Sequence, residues 1–157
     1  MRELRRKNQK LMMERCEAVL QEGKRGVLAL CGTDGYGYAV PLNYWYDRDN
    51  RKIYFHGAAE GHKIDALKAN PKCSFNVLSD AIREENKWWN QFDSVTAFGI
   101  IHIIEDREEK EKALYQIGKK YFPAQEDVDA HVRGSVDRVC ILCLEIEETT
   151  GKHVNEK

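Results

Sequence analysis

The chain has 157 residues, 42% of them hydrophobic and 32% charged, with a formal net charge of -1. That length suits a single domain over residues 1–157 with its own core, the composition excludes a disordered chain, and the near-neutral balance supplies no global basic field for nucleic acid. No apolar run reaches the ~20 residues of a membrane span, and Met1 to Lys10 lacks the apolar centre of a secretory signal, so a cytoplasmic location without a membrane partner is expected.

The five cysteines, Cys16, Cys31, Cys73, Cys140 and Cys143, are odd in number and lie mostly in apolar segments. They read as buried free thiols rather than a disulfide framework.

In chain order, residues 8–22 predict a helix with Met12, Cys16, Val19 and Leu20 on one face and Gly23 at its end. Arg25 to Cys31 predicts a strand. The Asp34-Gly35 pair that follows is a hairpin turn. Tyr36 to Tyr46 is the returning strand, and Pro41 within it demands an edge or a bulge. After the turn Asp47-Arg48-Asp49-Asn50 comes a strand over Lys52 to Ala58. Gly61 to Asn70 predicts a helix, stopped by Asn70-Pro71.

The junction Tyr54-Phe55-His56-Gly57-Ala58-Ala59-Glu60-Gly61-His62-Lys63 carries the clearest chemistry. A strand runs into a turn of small residues and then into a helix start. The first N–H groups of a helix lack intrahelical partners, and the dipole is positive there, so the junction is a seat for an anion. Gly61 permits close approach, and Lys63 adds a full charge. The alternative is that His62 and Lys63 are solvated residues of an ordinary helix start.

Further along, Cys73 to Leu78 predicts a strand and residues 79–91 a polar connection with Trp88 and Trp89. Val95 to Ile104 predicts a long strand. Asp106 to Tyr121 is an amphipathic helix with Ala113, Leu114, Ile117 and Tyr121 as its stripe, ended by Pro123. Val136 to Ile146 is the last strand, and a polar tail begins near Glu147. Six strand candidates joined by hairpin turns, with few helices, predict a mainly β (α+β) fold: a six-stranded antiparallel barrel with flanking helices. Val27, Ala29 and Cys31 lie on one face of their strand and Leu28 and Leu30 on the other. One face fills the barrel, and a helix or a second subunit covers the other.

The ordered set Val27-Leu28-Ala29-Leu30, Gly35-Tyr36-Gly37-Tyr38-Ala39-Val40-Pro41-Leu42-Asn43-Tyr44, Ile53-Tyr54-Phe55-His56-Gly57-Ala58 and Gly61-His62-Lys63 resembles the FMN-binding split-barrel superfamily. Within it the chain is most similar to the pyridoxamine 5′-phosphate oxidase-related branch that includes the nitroimidazole-resistance proteins. The likeness extends from about residue 10 to 151, through Ser94-Val95-Thr96-Ala97-Phe98-Gly99. It implies a split β-barrel and a homodimer with FMN at the subunit interface. By motif, Pro41, Leu42 and Asn43 run beside the isoalloxazine ring, and His56, Gly57 and Ala58 along the flavin. Gly61, His62 and Lys63 hold the phosphate, and Ser94 and Val95 line the pocket. The implied activity is flavin-dependent oxidation or reduction of a small planar molecule, with NAD(P)H as a hydride source. The alternative is a flavin-, haem- or deazaflavin-binding module without turnover. Vitamin B6 oxidases end in a basic, Pro-containing segment that binds substrate phosphate. This chain ends Thr149-Thr150-Gly151-Lys152-His153-Val154-Asn155-Glu156-Lys157 instead.

His56 has two readings, a hydrogen-bonded structural residue or a group that binds substrate or donates a proton. Trp88 and Trp89 are either a lid over a planar ligand or a plug at a dimer seam. His102 reads as structural, while His131 and His153 lie in polar segments that say little. Cys140 and Cys143 sit three apart on a strand, hence on opposite faces, and cannot clamp one metal ion. The Gly35-x-Gly37 pair lacks the third glycine and the following helix of a dinucleotide fingerprint.

Overall fold

The computed structural model describes residues 4–83, 85–122 and 124–155. Helices α1 (Met13–Glu22), α2 (His62–Ala69), α3 (Arg107–Tyr121) and α4 (Gln125–Ser135) flank seven strands. These are β1 (Arg25–Cys31), β2 (Gly37–Asn43), β3 (Trp45–Asp47), β4 (Lys52–Gly57), β5 (Lys72–Leu78), β6 (Gln91–Ile103) and β7 (Cys140–Asn155). All pairs are antiparallel, in the order β2-β1-β5-β6-β7-β4-β3. The sheet curls into a half-barrel whose inner faces pack Leu28, Phe55, Phe75, Val95 and Leu144 into one core.

Four local differences from the sequence expectations have physical causes. The aromatic strand is broken at Tyr44, which makes seven strands rather than six. Tyr44 is fully buried and donates its hydroxyl to the Leu20 carbonyl at 2.7 Å, while its backbone N–H donates to Tyr121 Oη at 2.9 Å. A backbone engaged by a side chain leaves the ladder, so the chain quits β1 and turns to pair with β4. The N-terminal helix begins at Met13, after a 3-10 turn at Lys7–Gln9; Met12 caps it and is exposed, while Cys16, Val19 and Leu20 are buried as expected.

The last strand starts at Cys140 rather than Val136. It then runs through the expected polar tail, pairing with β6 as far as Gln91↔Asn155. Gly151 makes this possible, because a Cβ there would run into Cys16 and Leu11; without one, α1 packs directly on the strand. Finally, α4 was not anticipated. Pro123, the expected helix stop, lies outside the described residues, and so does the side chain of His131; α3 itself ends at Tyr121, capped at its start by Asp106, which accepts from the Glu109 N–H at 2.8 Å.

The two faces of the sheet are covered unequally. Behind β4 and β7, α3 closes a second cluster of Tyr54, Leu114, Ile117, Ile141 and Cys143. Cys140 belongs instead to the inner core, so the two cysteines of the Cys-x-x-Cys spacing lie on opposite sides of the sheet. Over β1, β2 and β5 no helix among the described residues covers the outer face, and Val27 is left 41% exposed. Pro41 sits where its missing N–H costs nothing, on the edge strand β2 opposite Val27.

Candidate functional site

The end of β4 and the start of α2 meet where the sequence predicts an anion seat. Gly61 caps the helix at φ 106°, in the region that favours glycine, and no side chain caps the N-terminus. The N–H groups of Ile64 and Asp65 turn back to the Gly61 carbonyl at 2.8 and 3.2 Å. Those of His62 and Lys63 have no intrahelical acceptor. The Lys63 side chain folds back over β4, its Nζ 2.7 Å from where a Cβ on Gly57 would stand. The His62 ring meets Tyr38 of β2 edge-on, with centroids 4.5 Å apart and planes at 75°. Open N–H groups, an ammonium and an imidazole thus come from adjacent residues at one helix start, and donors of these kinds suit a phosphate monoester.

Tyr38 ties this seat to β2, where Pro41 follows three residues later, ~10 Å along an extended strand. Pro41 lines a cavity of about 190 Å³ on the outer face with Arg25, Gly26, Val27, Asn76 and Leu78. Asn76 Nδ2 donates to Ser94 Oγ at 3.1 Å, to the Val95 carbonyl at 3.1 Å and to Thr96 Oγ1 at 2.8 Å. A carbonyl only accepts, so the Val95 contact fixes which end of the amide faces inward. Asn76 therefore joins β5 to β6 beside the predicted ring residues.

The remaining candidates divide by face. Leu42 packs against the core and the Val95 side chain is wholly buried within it, so of this pair only the backbone is available outside. Asn43 accepts from Arg25 Nε at 3.1 Å at the end of the ladder. His56 is half-buried and pairs with Ile141, on the Tyr54 face of β4, whereas Gly57 opens on the other. The His56 ring is therefore not brought to the Lys63 ammonium within one chain. Ala58 is exposed just beyond β4. Trp88 and Trp89 meet edge-on with centroids 5.9 Å apart, and Trp88 is 76% exposed. Their loop leaves β5 at Leu78, near the Asn43 end of β2, while His62 meets β2 at Tyr38, ~16 Å away along the strand. The root of the tryptophan loop and the start of α2 thus lie at opposite ends of β2.

Two residues of the site were not anticipated. Tyr38 looked like one more aromatic in an aromatic strand. Asn76 was a polar interruption in the strand Cys73 to Leu78, and that interruption was the available signal.

Comparison with known proteins agrees with this fold. A family model described as pyridoxamine 5′-phosphate oxidase matches residues 13–153. No curated protein matches. Among solved structures, one named as a candidate 5-nitroimidazole antibiotic resistance protein of Bacteroides thetaiotaomicron aligns with a TM-score of 0.78 at 24% identity, covering 93% of this chain and 87% of that one. A FAD-binding protein of Mesorhizobium loti aligns at 0.65 and 24%, covering 92% and 96%. A FAD and haem binding protein of Mycobacterium smegmatis aligns at 0.72 and 20%, covering 93% and 72%. At these identities the likeness carries the fold. With the family model spanning nearly the whole chain, from α1 to the end of β7, the protein belongs to the pyridoxamine 5′-phosphate oxidase family of flavin-binding split barrels.

Proposed function

We propose that the chain binds FMN as a homodimer and uses it to oxidise or reduce a small planar molecule. The observation that carries the reading is the Lys63 ammonium folded over Gly57 at the uncapped start of α2. Tyr38 would then stand beside the phosphate end of a bound flavin, and Pro41, on the opposite face of the edge strand β2, beside its ring. When bound, the flavin supplies the redox chemistry. The chain's own residues bind and orient: His62 and Lys63 neutralise the phosphate, and the strands β2, β5 and β6 present Pro41, Asn76 and Ser94 to the ring. A second copy over the open outer face excludes water from the ring. NAD(P)H is the proposed hydride donor and a nitroaromatic the proposed class of acceptor, in keeping with the nitroimidazole-resistance name of one similar structure.

The test is an absorption spectrum of freshly purified protein, followed by titration with FMN monitored by fluorescence. The expected result is flavin absorption near 375 and 450 nm (about, from the chromophore) or saturable quenching near one FMN per chain. NADPH added to the loaded protein then bleaches the flavin, and a nitroaromatic restores it. A colourless protein that ignores FMN overturns the reading. A second reading, a haem-binding module, is favoured by the similar structure named as binding both FAD and haem. A Soret band in place of flavin absorption selects it, and loss of that band on His56→Ala or His62→Ala names the ligand.

A further inference from the structure

The geometry points to Gly57 as the residue that positions Lys63, and so as the determinant of phosphorylated over unphosphorylated flavin. The inference rests on the flavin reading above and concerns a residue that touches the ligand only through another. β4 ends at Gly57, paired with Cys140 of β7. Its conformation does not require glycine, because only Gly35 and Gly61 among the described glycines have positive φ. The reason for glycine lies in the space above it. An added Cβ would stand 2.7 Å from Lys63 Nζ and 3.8 Å from Lys63 Cε.

Two facts about that contact make it a positioning device rather than a folding constraint. The only close neighbour of the missing Cβ is the tip of a flexible side chain, with no backbone nearby, so a larger residue displaces the lysine and leaves the strand intact. Contrast Gly99, where the added Cβ would meet the Glu145 carbonyl of the neighbouring strand. Lys63 also has other directions to go: it is the second residue of α2, half-exposed, and among the described residues no ion pair with a carboxylate holds it. The absence of a side chain at position 57 leaves room for its ammonium over the end of β4. The open N–H groups of His62 and Lys63 are only a partial charge; the ammonium completes the seat for a dianion, and a neutral ribityl hydroxyl has no use for it.

The experiment uses Gly57→Ala and Gly57→Val, with Lys63→Ala and the double variant Gly57→Val/Lys63→Ala, each titrated with FMN and with riboflavin. Val suits a strand position, and circular dichroism and the thermal midpoint check that each variant folds. The expected result is a loss of FMN affinity graded from Ala to Val and reaching at least about tenfold, with riboflavin affinity unchanged. Lys63→Ala gives a similar loss, and the double variant loses no more than Lys63→Ala alone, because both changes remove one ammonium. Losses that add, or an equal loss for riboflavin, overturn the inference. Folded Gly57→Val with wild-type FMN affinity overturns it too. A wild-type protein that binds neither flavin fails the parent reading instead, so the two failures are distinguishable.

Discussion

Asp93 is a buried carboxylate held from two sides. Arg15 Nε of α1 donates to Oδ2 at 2.7 Å and His153 Nδ1 of β7 to Oδ1 at 2.8 Å. Burial alone pushes its carboxyl up, but the hydrogen bonds from His153 and Arg15 outweigh burial and hold it below the usual range. A lowered folded-state value means that the stabilisation is present above the unfolded value, about 3.9, and is lost as pH falls through the folded one. Asp93→Asn is therefore expected to lower the urea midpoint at pH 7 and to narrow its gap to wild type below pH 4; parallel curves across that window would count against the assignment. Lys120 has the opposite sign. Its Nζ is buried without a hydrogen-bond partner among the described residues, 4.0 Å from the centroid of the Tyr44 ring, and burial pushes it down to about 8. Between that value and about 10.4 the unfolded chain holds more protons, so wild-type stability rises with pH there. Lys120→Met removes that rise. At pH 7 it is expected to stabilise by about 1 kcal/mol, because partial solvent access and the lost cation–π contact offset much of the desolvation relief. Urea titrations of both proteins at pH 7, 8, 9 and 10 check slope and sign together.

At the scale of elements, one phenol organises the junction of α3 with the sheet. Tyr121 Oη accepts the Tyr44 N–H at 2.9 Å, at the point where β2 gives way to β3, and also lies within hydrogen-bonding distance of the Lys24 carbonyl. Tyr121→Phe keeps the ring and strands a buried N–H, a loss of about 1–3 kcal/mol. Denaturant unfolding measures it, and an unchanged midpoint would show that the break at Tyr44 needs no such partner. This contact also explains what the sequence could and could not disclose. The strand end and helix start of the candidate anion seat were legible because they lie, from Gly57 to Lys63, within seven consecutive residues and follow from local turn and helix-terminus chemistry. The strands expected over Arg25 to Cys31 and Cys73 to Leu78 were legible from local apolar runs. The Tyr44 break was not, since its cause sits 77 residues away. The polar half of β7 was hidden for a related reason: its buried Gly151 packs under α1 without a hydrophobic side chain to announce it. Tyr38 against His62 and Asn76 against Ser94 likewise join distant segments, so the residues were visible and their partnership was not.

The whole molecule leaves one face of its half-barrel unfinished. Behind β4 and β7 the outer face is sealed by α3, but over β1, β2 and β5 it carries Val27, Ala29, Pro41 and Leu78, with Val27 and Leu78 exposed. Exposed apolar side chains at adjacent register positions, beside an apolar cavity of about 190 Å³, form a contiguous patch rather than scattered single residues. A second copy of the chain is the proposed cover, and it would bury the candidate ring site around Pro41 and Asn76 at the same time. Dimerisation and flavin binding are then one equilibrium, since each stabilises the state the other needs. Val27→Glu places a carboxylate in the middle of the patch without touching the core or the Lys63 seat. Light scattering should show wild-type dimer and variant monomer, with circular dichroism unchanged. FMN affinity should fall with dimer population, and added FMN should shift the wild-type monomer–dimer balance toward dimer as protein is diluted. A Val27→Glu protein that remains dimeric would move the interface elsewhere, and one that is monomeric yet binds FMN as wild type would separate the flavin site from it.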